Sequence, residues 1–432
     1  MHLAQRAYVL IFLAAVLAVA QVWTSEVDVP RLWHIPAALL LMGLALEALF
    51  VRRLLIGAEV ETASRAFLGR PQPAAFVFAN PASRPIVIEY QPLLPVGFEP
   101  LAQTRKVTAP PQGAGRDFLT LLPVRLGRQS WPNLPARILG PLGFAWWDRE
   151  LPLSTQLAIA PDVAGIPRIR PRGNPGGARQ RRTTGAGSEL HQLRGYVSGD
   201  PLTRIDWKAT ARSRTLVTRE YSEDQHLDIL VAVDAGRFSR IRAGRLDRFG
   251  TYANIAARFA EVVTPNDDRV GLLVFSDRPL AVCAPDRGLP AVMRIRKALE
   301  QLALDAAESD ATQAAVGIRR LLKHRGLVVL LTDLDDFAAG DSLVRAVRLL
   351  SPPHFVVVAG VQSPEIAALG RQEALAWNDP WVALAAREYE VRANAHRAQL
   401  RRLGASVIEA REEVLERAVI AEYEALRRAR RV

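Results

Sequence analysis

Three acids close short apolar runs in the second half of this chain. Asp234 ends LDILVAVD, Asp277 ends RVGLLVFSD, and Asp333, with Asp335 two residues on, ends the strand-like part of GLVVLLTDLDD. A carboxylate at the mouth of a buried strand can hold a cation, act as a nucleophile or be a salt-bridged structural acid. Other chemistries are poorly supplied. Cys283, in PLAVCAPD, is the only cysteine, so no internal disulfide or cysteine–zinc spacing can form. An apolar run makes it a small core residue rather than a nucleophile. The seven histidines are scattered without the paired spacing of a zinc site.

The elements that must position these acids are legible from residue 227 onward. The runs LDILVAVD, RVGLLVFSD, GLVVLLTD, HFVVVAGV and GASVIEA alternate with helical patterns such as RFGTYANIAARFAEVV, LPAVMRIRKALEQL and TQAAVGIRRLLKH. Continuous apolar strands alternating with helices predict a mostly parallel sheet covered on both faces. Ligands of such sheets lie beyond the carboxyl ends of the strands, so Asp234, Asp277 and Asp333 are expected on one rim. Upstream, AFVFAN, IVIEYQ, FLTLLPVRLG, AWWDREL and TQLAIAPD lie between Pro and Gly breaks, the pattern of an antiparallel β-sandwich-like domain over 57–165. Trp146 and Trp147 are expected to pack in it. Residues 166–188, rich in Gly, Pro and Arg, read as a basic linker, leaving 189–432 as the acid-bearing domain.

Residues 1–56 read as an anchor of two transmembrane helices. AYVLIFLAAVLAVAQVW (7–23) and LWHIPAALLLMGLALEALFV (32–51) approach the roughly 20 residues that cross a bilayer as helix. Arg6 precedes the first, Arg52 and Arg53 follow the second, and the connection TSEVDVPR is short and slightly acidic. The positive-inside rule puts both ends in the cytoplasm. A cleaved signal peptide ending at Ala18-Val19-Ala20 is the rival reading, and Glu47 is expected to snorkel or to stay protonated at the inner edge. The formal charge of +12 comes almost wholly from arginine, lysine occurring only at positions 106, 208, 297 and 323. It suits anionic lipid or another acidic partner.

The stretch GSELHQLRGYVSGDPLTRIDWKATARSRTLVTREY carries Arg194, Tyr196, Gly199, Asp200, Arg204, Asp206, Trp207, Lys208 and Arg212. Gly199-Asp200-Pro201 marks a turn, and so many charges around one Trp predict a turn pinned by ion pairs, with Trp207 as apolar anchor; a docking surface is the alternative. No nucleophile–base pair occurs in it. This stretch resembles the signature of a bacterial family known as domain of unknown function 58. LGPLGFAWW, ESDATQAAVGIRRLL and LVVLLTDLDD resemble further stretches of that family. The resemblance implies two membrane spans, a β-rich segment, a domain like von Willebrand factor type A with a Rossmann-like parallel sheet, and partnership with MoxR-type AAA ATPases.

In metal-binding type A domains the first strand ends Asp-x-Ser-x-Ser, and a Thr and a second Asp complete an oxygen shell for Mg²⁺. By that resemblance Asp234, Thr312 and Asp333 are the degenerate metal-site positions. Gly236 and Phe238 stand where the serines would be and donate no oxygen, while Ser239 is one residue out of step. Metal-free acids, with Arg237 as a candidate counter-charge, are the expectation, and weak Mg²⁺ binding at Asp234 and Asp333 is the alternative. Asp333-x-Asp335 also resembles superficially the nucleophile loop of haloacid dehalogenase-type phosphatases, chemistry that needs a later lysine, and none follows Lys323. A nucleic-acid binder fits the charge but lacks aromatic–basic stacking and helix-turn-helix signals. The sequence therefore predicts a non-enzymatic, cofactor-free interaction module of the bacterial inner membrane, its main domains cytoplasmic. Its partners would be the bilayer, a MoxR-type ATPase and a protein client.

Overall fold

The computed structural model describes residues 1–23, 32–162, 184–185, 189–222, 227–302, 307–362, 364–371, 373 and 375–429. The connection 24–31, expected as an external turn, and most of the expected linker 166–188 lie outside the described residues.

Two apolar helices open the chain, α1 (Gln5–Trp23) and α2 (His34–Arg53), each long and apolar enough to cross a membrane. Both meet the next domain at the same end. His2–Leu3, just before α1, pairs antiparallel with Trp146–Ala145, and the Arg149 guanidinium donates to the carbonyl of Val51, near the end of α2.

That domain is built from ten strands, β1 (Gly57–Glu61), β2 (Arg65–Phe67), β3 (Gln72–Ala79), β4 (Ile86–Tyr90), β5 (Arg105–Ala109), β6 (Ala114–Leu121), β7 (Gly127–Ser130), β8 (Leu134–Leu139), β9 (Ala145–Leu151) and β10 (Gln156–Ala160). Their inward residues alternate along each strand, as in Ile86, Ile88 and Tyr90 of β4 or Leu134, Ala136 and Ile138 of β8, so strands of three small sheets share one core. Pairing is antiparallel except between β2 and β10, which run parallel. This departs from the all-antiparallel expectation, because nothing in two short apolar runs encodes their relative direction. Trp147 packs against the core, and Trp146 lies under the Lys106 ammonium, 5.0 Å from the ring centroid.

A hairpin follows, β11 (Glu189–Gly195) and β12 (Val217–Ser222) with α3 (Trp207–Ser213) between them. The carboxyl-terminal body runs β13 (Asp228–Asp234), α4 (Arg248–Val263), β14 (Arg269–Phe275), β15 (Pro279–Asp286), α5 (Gly288–Glu300), α6 (Ala311–Leu321), β16 (Leu327–Leu331), α7 (Phe337–Leu350), β17 (Phe355–Val361), α8 (Pro364–Leu369), α9 (Asp379–Arg402), β18 (Ser406–Ala410) and α10 (Glu412–Arg428). Its sheet has the order β15-β14-β13-β16-β17-β18, parallel except for the edge strand β15. The period of two divides β13 between two cores: Ile229, Val231 and Val233 face α4, α5 and α10, while Leu230 and Ala232 face α6 and α7. Aspartates cap two of these helices. Asp247 accepts from Gly250 N–H at the start of α4, and Asp310 from Thr312 and Gln313 N–H at the start of α6. Ion pairs join this body to the strand domain, including Arg258 with Asp162 at 3.6 Å and Arg65 with Glu300 at 3.0 Å, and Arg258 is held within its own body by Glu416 of α10 at 2.8 Å.

Candidate functional site: the acid-bearing crest and the signature hairpin

Because β13, β14 and β16 are parallel, their ends bring Asp234, Asp277 and Asp333 to one rim, with Asp277 exposed and the other two buried. Each buried acid is engaged from within the protein. Asp234 accepts from Thr332 Oγ1 at 2.6 Å, Ser309 Oγ at 2.7 Å and Gly236 N–H at 2.8 Å. Burial, reinforced by the nearby Asp333 charge, pushes its carboxyl up to about 6. Asp333 pairs with Arg248 Nη1 at 3.1 Å and accepts from the Tyr252 hydroxyl at 2.8 Å. Arg248 Nη2 reaches Asp335 at 3.3 Å. Burial raises the Asp333 carboxyl against the pull of that guanidinium. Tyr252 is pinned in turn, its oxygen accepting Val361 N–H at 3.1 Å.

Arg248, at the first position of α4, therefore supplies the counter-charge expected from Arg237. Arg237 instead points outward and pairs with Glu308 at 2.9 Å, both side chains more than half exposed. Thr312 is also engaged elsewhere: its hydroxyl shares a 3.0 Å hydrogen bond with Ser342 Oγ and lies 3.2 Å from the Ser342 carbonyl. Ser239 turns back on its own loop and donates to the Gly236 carbonyl at 2.6 Å. These residues do not fit a divalent cation. Both Asp234 oxygens and the Thr312 hydroxyl are occupied, and Gly236 and Phe238 offer no side-chain oxygen. At the crest, Asp333 Oδ2 is a buried carboxylate oxygen without a hydrogen-bond partner, too little for a six-oxygen shell. Among the described residues no group of three or more His, Cys, Asp or Glu is placed to hold a metal. Cys283 is half-buried on the edge strand, and burial pushes its thiol up.

The crest is bordered by α9, whose Tyr389 hydrogen-bonds Asp335. This helix buries a narrow heptad line of Ala386, Ala393 and Leu400. At 100° per residue, Trp381, Leu384 and Val391 fall together on the opposite side, and Trp377 stands in the turn just before the helix. All four are exposed, Trp377 by 86% and Trp381 by 68%. Sequence reasoning missed this stripe, although its i, i+4, i+7, i+14 spacing is present in WNDPWVALAAREYEV.

The signature hairpin is held by ion pairs, though Trp207 does not anchor it. Arg194 grips Asp200 bidentately, 2.8 Å for each bond, and Asp200 also accepts Val197 N–H. Gly199, at φ +110°, makes the turn that closes this loop, a conformation a side chain would strain. Tyr196, half-buried, donates its backbone N–H to the Leu216 carbonyl at 2.8 Å. Asp206 caps α3 through the N–H groups of Lys208 and Ala209 and accepts Arg219 Nε at 2.9 Å. These guanidiniums hold the Asp200 and Asp206 carboxyls below the usual range. Trp207, expected as the buried anchor, is 67% exposed because Ile205 takes the inward position opposite Thr218. Arg204, Lys208 and Arg212 join no ion pair among the described residues. A groove of about 420 Å³ on the strand domain, lined by Tyr90, Arg137, Arg149 and Glu150 among others, includes no residue of the crest or hairpin.

Residues 192–406 match the family model described as "Protein of unknown function DUF58". Proteins from Mycobacterium bovis and from Mycobacterium tuberculosis H37Rv, named Uncharacterized protein Mb1516 and Uncharacterized protein Rv1480, are each 24% identical over 183 residues, 42% of this chain. The match spans 56% of those relatives' length. Among solved structures, a conserved hypothetical protein BatB from Bacteroides thetaiotaomicron aligns with 46% of this chain and 98% of its own at 13% identity and a TM-score of 0.32. The CARDB domain of the PF1109 protein from Pyrococcus furiosus aligns with 24% of this chain and 88% of its own, at 10% identity and a TM-score of 0.17.

Proposed function

We propose that this protein is a membrane-anchored, non-enzymatic interaction module whose von Willebrand factor A-like domain faces the cytoplasm and works with a MoxR-type AAA ATPase on a protein client. The observation that carries the reading is a crest whose two buried acids are already bonded by Arg248, Tyr252, Thr332 and Ser309, beside a helix that leaves two tryptophans open to solvent. Acids so engaged present neither a nucleophile nor a free ligand set. Exposed aromatic and apolar side chains gathered on one side of a helix are how a docking surface looks before its partner arrives. The helix pair supports anchorage, and the family resemblance supplies the ATPase.

The phosphohydrolase reading would use Asp333 and Asp335, and both are tied to the buried Arg248 guanidinium. Pull-down of the ATPase by the full chain in detergent, with ADP and with a non-hydrolysable ATP analogue, tests the proposal. Capture is expected in one nucleotide state and should fall at least about tenfold in Trp381→Ala/Leu384→Ala, since central aromatic anchors dominate interface energies. Failure to recover the ATPase in either state, or capture untouched by that variant, would remove the basis for the reading.

A further inference from the structure

The hairpin of residues 189–222 is too open to be finished by its own contacts. Its described side chains bury only Ile205 and Thr218, while Leu193, Val197, Leu202, Trp207 and Leu216 are all exposed. Charge is as one-sided as the apolar surface. Asp200 and Asp206 are consumed by Arg194 and Arg219, and Arg204, Lys208, Arg212 and Arg214 are left without an acidic partner among the described residues. Lys208 and Arg212 stand one turn apart on α3, the helix that also carries Trp207.

We propose that this hairpin lies on the anionic surface of the bilayer that anchors the chain, with Leu202 and Trp207 inserted at headgroup level and Arg204, Lys208, Arg212 and Arg214 on the phosphates. An exposed tryptophan sharing a short helix with two unpaired cations matches the chemistry of the lipid interface, where the indole rests at headgroup depth and cations meet anionic lipid. The two apolar helices of the same chain, each long and apolar enough to cross a membrane, tether the hairpin to the bilayer of the anchoring proposed above. A neutral apolar groove on a protein would leave four cations unpaired.

The inference rests on the anchoring proposed above, and the experiment separates the two. The full chain is reconstituted in nanodiscs of phosphatidylcholine alone or with one third phosphatidylglycerol, and backbone hydrogen exchange is followed over residues 197–216. Anionic lipid should slow exchange there by about tenfold, with the effect lost in high salt and in Lys208→Glu/Arg212→Glu, while the β13 amides stay unchanged as a check on folding. Equal exchange in the two lipids would overturn the proposal. So would protection that appears only when the ATPase is added, which would make the hairpin a protein-docking element. If the chain does not enter nanodiscs at all, the anchoring reading fails. Phosphatidylglycerol vesicles added from outside then decide for the hairpin: protection sustains the inference and its absence overturns it.

Discussion

At the residue scale, the crest acids make a pH-dependent contribution whose sign follows from their burial. Asp234 holds its proton up to about 6 in the folded protein, against an ordinary carboxyl near 4 when unfolded. The folded state therefore binds more protons between those values, and stability falls as pH rises through that window. A shift of two units corresponds to about 3 kcal/mol of penalty, fully present above pH 6. Asp234→Asn removes the ionisation while keeping groups for Gly236 N–H and the two hydroxyls. We expect the variant to melt at or above wild type at pH 8 and to lose part of the slope between pH 4 and 6. Asp247, also pushed up to about 6 by burial, keeps its share. Thermal melts across pH check this, and a large loss at pH 8 would mean that the Asp234 charge is needed. Arg248→Met has the opposite sense. It strands Asp333 and Asp335 without their counter-charge, at a cost of about 3–5 kcal/mol at neutral pH. Acidification, or a second change Asp333→Asn, should restore part of it, and urea unfolding of the single and double variants measures the coupling. The positions of Asp234 and Asp333 were legible because each ends an apolar strand. Their partners were not, since Thr332 is 98 residues from Asp234 and Arg248 is 85 from Asp333, brought together only by strand order.

At the scale of elements, the joint between the two apolar helices and the strand domain turns on one glutamate. Glu47 of α2 is fully buried, and its carboxylate accepts N–H bonds from Leu142, Phe144 and Ala145 at 2.9 to 3.0 Å. It neither snorkels nor faces solvent, because the loop before β9 folds over it. Two glycines make the fit, Gly140 against the carboxylate and Gly43 beneath the Phe144 ring, positions where a Cβ would overlap its neighbour. Glu47→Ala leaves the buried N–H groups of Phe144 and Ala145 without an acceptor, each worth about 1–3 kcal/mol, and the part-buried Leu142 N–H as well. We expect proteolytic nicking at Arg149 and melting of the strand domain at lower temperature. Gly140→Ala should reproduce the effect with the Glu47 side chain intact, which separates the geometry of the joint from loss of the acceptor. Alternation and turn residues had made the strands readable. The joint escaped because a lone Glu near the end of an apolar helix has the same sequence signature whether it meets lipid, water or a loop. Trp207 fails for a related reason: local sequence shows an aromatic among charges but does not say which neighbour, here Ile205, takes the inward place.

At the scale of the molecule, both ends of the helix pair meet the strand domain on one side. Strand His2–Leu3 pairs with β9 ahead of α1, Arg6 Nη1 donates to the Leu142 carbonyl at 3.1 Å, and α2 is held to the same domain through Glu47 and Val51. A helix hairpin so clamped has its far ends, Trp23 and Leu32, together on the opposite side. Arg6, Arg52 and Arg53 cluster at the clamped end, where the positive-inside rule favours cytoplasm. The sequence indicated this polarity by charge alone; the pairing of His2–Leu3 adds a contact that a chain cleaved after Ala20 would lose. We therefore expect a cysteine at Leu32 to react with a membrane-impermeant maleimide in intact spheroplasts, and one at Leu55, which is 83% exposed, to react only after permeabilisation. Serine replaces Cys283 in both variants, so that the introduced cysteine is the only thiol of each chain. Labelling of Leu55→Cys from outside would turn the crest away from any cytoplasmic ATPase and exclude the proposed partnership, whereas the hairpin's contact with anionic lipid would then be sought on the outer leaflet.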